Sequence, residues 1–358
     1  MIFKNSHLTL ISLSLIMIFT IACSRQVYKF DPSVAAYYPP PPDTTRIQFL
    51  TSLNGSASIV KKQSGFTRFL VGEKPEKPII KPYGIASYPG KIYVCDADVG
   101  GIEIIDLENN SFEYFIPKGK GKFSHAHNCC IDEVGNLYVA DIKRRQIIVF
   151  DSSGTYLNSF GEPAPFMPTD IAVSDSIIFV LNMKNHEVIA YDKINFSRLY
   201  SFPESETGKQ DYLYSPLNMF VDDSIVYISD VGESKIKKYT YDGRFLNSFG
   251  SYGRGMGQFV RVKGVAVDRE SRIYAVDASF ENVQVFNDKN ELLMFFGGST
   301  KDPGGMWLPA QVAIDYYNLE YFYQFVDPEY NLEFLIYVTN QFGPNKVNVY
   351  GFIKPKIK

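Results

Sequence analysis

The sequence predicts an all-β chain, a closed ring of six repeated sheets of the β-propeller kind. Three observations carry that prediction. The 358 residues are 15% aromatic, with 25 Tyr, 28 Phe and one Trp, a bias toward side chains that pack well on a pleated, half-buried surface. A strand pattern recurs six times at intervals that signal propeller blades. Finally, a strand-like piece, RIQFLTSL at residues 46–53, stands alone before the first full repeat, and the sixth repeat runs out before its outer strand.

The repeat is clearest in the second strands. They read IYVCD to Asp96, LYVAD to Asp141, IFVLN to Asn182, VYISD to Asp230, IYAVD to Asp277 and IYVTN to Asn340. Successive ends lie 45, 41, 48, 47 and 63 residues apart, the last interval being lengthened by an insertion after Asp315. First strands begin at Tyr83, His127, Thr169, Leu217, Lys263 and Ala310, and third strands include IEIID, IIVFD, VIAYD, VQVFN and VNVYG. A single blade cannot bury both faces of its sheet, so the six must stack around an axis. The strand at 46–53 is expected to complete the last blade, latching the ring and removing two unpaired edges. The propeller is thus expected over residues 44–353, followed by a short basic tail at 354–358.

Before the ring lie two segments of different character. Residues 1–23, MIFKNSHLTLISLSLIMIFTIAC, place Lys4 ahead of an apolar run and have the layout of a secretory signal. The final TIAC resembles a bacterial lipobox, which implies lipidation at Cys23, a membrane attachment and a cell-envelope location; Ser24, in place of Asp, points to the outer membrane. Residues 24–43 lack a strand or helix period, and the four prolines at 39–42 are expected to hold a stiff polyproline II tether. Net charge is −3 with no basic block, so no nucleic-acid partner is expected.

Two stretches point to a family. FGSYGRGMGQF at residues 249–259 resembles the blade-linking motif of NHL-repeat propellers, and NHEVIAYD at 185–192 is similar to their Asn-His turn and third strand. Blade one lacks the Asn-His turn, and Val262 stands where a Pro is usual in blade five. The lipobox, the Pro-rich stretch and the ending FGPNKVNVYGF resemble bacterial lipoproteins of this class, some of which accompany multihaem cytochromes. The resemblance implies a docking scaffold for a protein partner within a membrane-associated complex. The rival it also implies is a propeller enzyme of lyase or lactonase type.

Candidate sites follow from the ring. Loops entering the first strands gather at one mouth of the channel, which assigns Tyr83, His127, Asn128, Asp170, Asn218, Lys263 and Gln311 to a ligand or partner surface, or to water-filled lining. His125 and His127 project to one side of a strand and are the weak metal candidates. His127 falls where the resemblance to peptidylglycine amidating lyase implies a zinc histidine, yet the equivalent positions are Tyr83, Thr169, Leu217, Lys263 and Ala310, so no metal is expected. No cofactor is expected either: phosphate-loop and nucleophile-elbow motifs are absent, as is the Cys-x-x-Cys-His of c-type haem.

Cys95 is a candidate to bridge either Cys129 or Cys130, or all three are small buried apolar residues. The Asp or Asn closing each second strand recurs too regularly for a catalytic array and is expected to bond a turn's backbone. The insertion at 316–335 is expected to form a hairpin that prolongs the first and second strands on the face opposite the mouth. Its Tyr316, Tyr317, Tyr321, Phe322, Tyr323, Phe325 and Tyr330 are expected either to meet a partner or to cover the ring's own underside.

Overall fold

The computed structural model describes residues 30–60, 69, 75–222 and 224–356. The segment 1–23 with Cys23, residues 24–29 and the last two residues lie outside the described residues. Among the described residues, no helix is long and apolar enough to cross a membrane.

Six antiparallel sheets are arranged as a ring, and the chain is a six-bladed β-propeller. Blade one comprises Pro82–Tyr88, Lys91–Asp96, Gly101–Asp106 and Ser111–Phe115, and blades two to five repeat that order from Ala126, Pro168, Pro216 and Val262. The first strand of every blade lies against the first strands of both neighbours, blade six against blade one included. Six separate apolar cores fill the spaces between successive blades. Because both faces of a blade are covered, its inner strands read as continuous apolar runs and are buried along their length, as in Ile177–Asn182. The outermost strands alternate instead, leaving Leu157, Leu199 and Leu293 exposed.

Blade six is closed as the sequence requires. Its strands Pro309–Asp315, Tyr330–Asn340 and Val347–Pro355 are joined by Ile47–Leu53, paired antiparallel to the last of them, Ile47 opposite Phe352 and Leu53 opposite Val347. A bulge between Phe49 and Thr51 splits the strand's apolar side chains between two cores. Ile47 and Phe49 enter the core between blades five and six, while Leu50 and Leu53 enter the core between blades six and one.

The tether departs from expectation. Tyr37–Tyr38 adds a fifth strand to blade six, antiparallel to Ile47–Leu53, so the prolines at 39–42 reverse the chain rather than extend it. The reversal is held by Arg46 N–H on the Tyr38 carbonyl at 2.9 Å and by the Thr45 hydroxyl on the Pro39 carbonyl at 3.0 Å. Tyr38 packs edge-on against Tyr350, with ring centroids 6.3 Å apart. Aromatic packing outcompetes the preference of a proline run for an extended, solvated helix. The last blade also runs further than the sequence suggested: its third strand reaches Pro355, and Lys354 of the expected basic tail pairs with Glu333 at 3.0 Å.

The insertion at 316–335 is not a hairpin on the first and second strands. After Asp315 the chain makes a helical turn, Leu319–Phe322, and a 3-10 turn, Tyr323–Phe325, before entering the long strand at Tyr330. Asp315 accepts from the Tyr317 and Asn318 N–H groups at 2.6 and 3.2 Å, which starts the turn and overrides the strand pattern. Asn318 then donates to the Tyr88 carbonyl at 3.1 Å and accepts from Gly90 N–H at 2.7 Å, fastening the segment to blade one. Gln48 of the latch strand donates to the Phe325 carbonyl at 3.0 Å, and Tyr37 donates to Asp327 at 2.6 Å.

Most of the expected partner-facing aromatics are therefore used by the ring. Phe322 is 2% exposed in the core between blades six and one, with Tyr321, Phe325 and Tyr330 against the same core. Tyr316 carries the Arg269 guanidinium 4.0 Å above its ring. Tyr317 and Tyr323 alone of the seven are exposed, at 62% and 53%.

Two outcomes follow. Deleting residues 44–54 takes four buried apolar side chains out of two cores, each worth roughly 1.5–3 kcal/mol, a sum comparable with the stability of a whole domain. The unfolding midpoint should collapse; a truncated chain that melts like the intact one would refute the latch. Phe322→Ser should cost about 3 kcal/mol or more, whereas Tyr317→Ser and Tyr323→Ser should each stay within about 0.5 kcal/mol of wild type. Equal effects of the three in chemical denaturation would show that the segment is not a brace.

Candidate functional site

Each blade pairs its first and second strands with a register shift at the channel end, for example between Pro82 and Ile85, Ala126 and Asn128, and Pro168 and Asp170. A bulge turns successive side chains toward the axis, which is why Tyr83, His127, Asn128, Asp170, Asn218, Lys263 and Gln311 meet. The strands approach closely there: a Cβ on Gly84 would lie 2.6 Å from the Asn128 Cα, and one on Gly264 would lie 2.7 Å from the Gln311 Cα. Glycine at both positions permits the approach.

Side chains bridge the mouth from one side of the ring to the other. The Tyr83 hydroxyl of blade one donates to the Asn218 Oδ1 of blade four, on the opposite side of the ring, at 3.1 Å. His127 stacks on the Tyr83 ring at 4.0 Å, and the Lys263 Nζ sits 5.5 Å over the same ring. Lys263 donates to Gln341 Oε1 at 2.9 Å. Deeper, Asn128 donates to Asp170 Oδ1 at 2.7 Å, and Asp170 Oδ2 accepts from the Met219 N–H at 2.8 Å, tying blades two, three and four together. Tyr83, Asn128, Asp170, Asn218, Lys263 and Gln311 are all buried, and His127 is partly exposed.

Burial sets the electrostatics. The Asp170 carboxyl is pushed up to about 7 by desolvation, against the stabilising pull of the N–H groups of Met219 and Ile171. Burial, then His125 and Lys263, hold His127 down at about 3, so its imidazole is neutral at physiological pH. Its Nε2 is buried without a hydrogen-bond partner among the described residues. Burial and the neighbouring Arg261 lower Lys263 to about 8.

The remaining sequence-derived candidates resolve as follows. His125 and His127 lie on one side of the strand with rings 6.0 Å apart, but among the described residues no three His, Cys, Asp or Glu side chains are grouped to hold a metal. Asp96, Asp141, Asn182, Asp230, Asp277 and Asn340 accept backbone N–H groups from the loop leading into their own blade, as in Ile80 and Lys81 N–H on Asp96 Oδ2, both 2.7 Å. These residues fix loops, as their recurrence suggested. Cys95 and Cys129 share the core between blades one and two, whereas Cys130, next along the strand, faces the following core. A Cys95–Cys130 bridge is therefore excluded by strand geometry, and all three thiols are free in this structure.

One set of residues escaped sequence reasoning. Glu103, Lys237, Gln284 and Asn348 occupy the same place in the third strands of blades one, four, five and six, opposite Val94, Ile228, Ala275 and Val338. Lys237, fully buried, donates to the Gln210 and Tyr212 carbonyls and meets Glu233 at 2.5 Å. Gln284 donates to the Gln258 carbonyl at 2.8 Å and accepts from Gly257 N–H at 3.0 Å, which fixes the glycine-rich linker of blade five. Burial and the nearby Asp96 push Glu103 up to about 10, so it carries a proton at neutral pH. A residue-by-residue alignment of third strands would have exposed these polar intrusions.

No family model matches the chain. It is similar to NHL repeat-containing protein 3 of Homo sapiens, 26% identical over 177 residues, which are 45% of this chain and 50% of that protein. The chain thus spans about half the length of the curated relative it matches. Among solved structures, a streptogramin B lyase is similar at 13% identity with a TM-score of 0.53, covering 79% of this chain and 85% of that one. A gluconolactonase from Xanthomonas campestris is similar at 14% identity and TM-score 0.54, covering 86% and 98%. A protein of unknown function from Bacteroides thetaiotaomicron gives 14% identity and TM-score 0.58, over 86% and 76%. At such identities the solved structures speak for the fold alone. The chain is a six-bladed β-propeller with sequence similarity to an NHL-repeat protein.

Proposed function

We propose that the chain is a lipid-anchored docking propeller of the bacterial cell envelope, attached through Cys23 to the outer membrane and binding a protein partner within a membrane-associated complex, one linked to cytochromes. The observation that carries this reading is the treatment of the 316–335 segment. Six of its eight aromatics are pinned by the ring, while Tyr317 and Tyr323 stand exposed on it, an arrangement that suits rigid amphipathic contacts with a partner. The tether supports it too. Cys23 is fourteen residues from Tyr37, so a lipid there would lie within about 50 Å of the point where the chain joins blade six.

The second reading is an enzyme at the channel mouth, favoured by one observation: a neutral His127 whose Nε2 lacks a partner among the described residues. Names such as lyase and lactonase among the structural neighbours belong to those proteins and supply only the assays to try.

Capture from native membranes separates the readings. Wild-type protein should bring down a defined partner, and the Tyr317→Ser/Tyr323→Ser variant should lose it while melting unchanged. Cys23→Ala should move the protein out of the membrane fraction and abolish acyl labelling. Lactonase or streptogramin lyase turnover that disappears on His127→Ala, with capture indifferent to the tyrosines, would replace docking by catalysis.

A further inference from the structure

The channel face is unevenly charged: apart from Lys184 of blade three, the cations that follow lie in blades one, two and five. Two residues before each first-strand position lie Lys81, His125 and Arg261 in blades one, two and five, but Met167, Ser215 and Leu308 in blades three, four and six. At the first-strand position itself, Lys263 faces Tyr83 and His127. Lys143 adds a further positive charge beside His125. Among the described residues, none of Lys81, Lys143, Arg261 or Lys263 has a carboxylate within ion-pair distance; the ion pairs there all involve other cations. The acids nearby are spent or weak. Asp96, Asp141 and Asp277 are covered by backbone N–H groups, Asp170 is buried in its bonds to Asn128 and Met219, and Asp98 is exposed near His125.

Unpartnered polar groups lie on that side as well, with Asn218 Nδ2 a further one across the ring. An ammonium offers three N–H donors, and Lys263 directs one to Gln341. His127 Nε2 is buried and unpartnered among the described residues. Beside these groups stands an apolar wall: Phe342, 54% exposed, lies 5.7 Å from Lys81 Nζ and follows Gln341 directly. Uncompensated cations around a partly dry floor favour an anion, and charge-assisted hydrogen bonds to a carboxylate are among the stronger polar contacts available.

We propose that the arc of blades five, six, one and two binds a small carboxylate carried on an apolar or aromatic body. Arg261 and Lys81 form the rim that meets the carboxylate, Lys263 and His127 the buried floor beneath it, and Phe342 the wall for the body. Tyr83 holds the floor in place through its bond to Asn218. This site is independent of the docking reading, since Tyr317 and Tyr323 belong to a different part of blade six.

Benzoate is a suitable probe, with benzamide and inorganic phosphate as controls. Titration of the purified propeller, followed through its histidine ring resonances and by calorimetry, should give saturable benzoate binding with no comparable response to benzamide. Arg261→Gln/Lys81→Gln, at exposed or half-exposed positions whose loss leaves the fold intact, should weaken benzoate about tenfold or more, as expected for loss of a charge-assisted contact. Lys263→Met, checked first for an unchanged circular dichroism spectrum, should abolish it. Three results would overturn the proposal: no saturable benzoate binding by folded wild-type protein, equal binding of benzamide, or affinity unchanged in the Arg261→Gln/Lys81→Gln variant. Tighter binding of phosphate than of benzoate would also reject the carboxylate class.

Discussion

Every blade of this ring is apolar on both faces, so no blade is stable until two neighbours cover it, and the structure rests on closing the gap between blades six and one. Closure uses one strand from the beginning of the chain, Ile47–Leu53, whose bulge lets it feed two interblade cores at once. Once that strand is in place, the ring has no free apolar face, and edge strands remain only on the periphery. The added strand at Tyr37–Tyr38 and the turn at 319–325 reinforce the same seam from its two sides. Reinforcement is concentrated where the chain's two ends meet, because only there is stacking held by noncovalent pairing between distant parts of the sequence.

Closure also determines the centre. Six first strands brought together leave a narrow space, and bulges at the channel end turn polar side chains into it. Protein side chains bridge this space. Tyr83 reaches across to Asn218, and the Asn128 to Asp170 to Met219 chain links three blades beneath it. Groups that would each be costly to bury alone satisfy one another instead. Among the described residues, Asn218 Nδ2 on the far side, His127 Nε2 and the spare donors of Lys263 stay unpaired, the last two next to cations with no acidic partner there. An asymmetric cationic arc on an otherwise regular scaffold is a local property of a few loops, and it is there that a ring of near-identical repeats can acquire chemical identity.

The sequence by itself determined the blade count, the strand order, the role of the latch and the structural use of the repeated Asp and Asn residues. All of these depend on periodicity and on backbone groups that must be paired locally, information that survives in a one-dimensional pattern. It also groups the channel residues, since equivalent positions of a repeat must converge on the axis. Only tertiary structure decided what those residues do to one another. That Tyr83 meets Asn218 rather than water depends on the ring's diameter and on which blades stand opposite. The tether and the 316–335 segment depart from their local patterns for a related reason: their prolines and aromatics have clear local preferences, but packing against Tyr350, Gln48 and the blade-one turn outweighs them. Cys95, Cys129 and Cys130 make the same point at the smallest scale. The sequence leaves two pairings open, and strand alternation sends Cys130 into a different core, a distinction that exists only once blades are stacked.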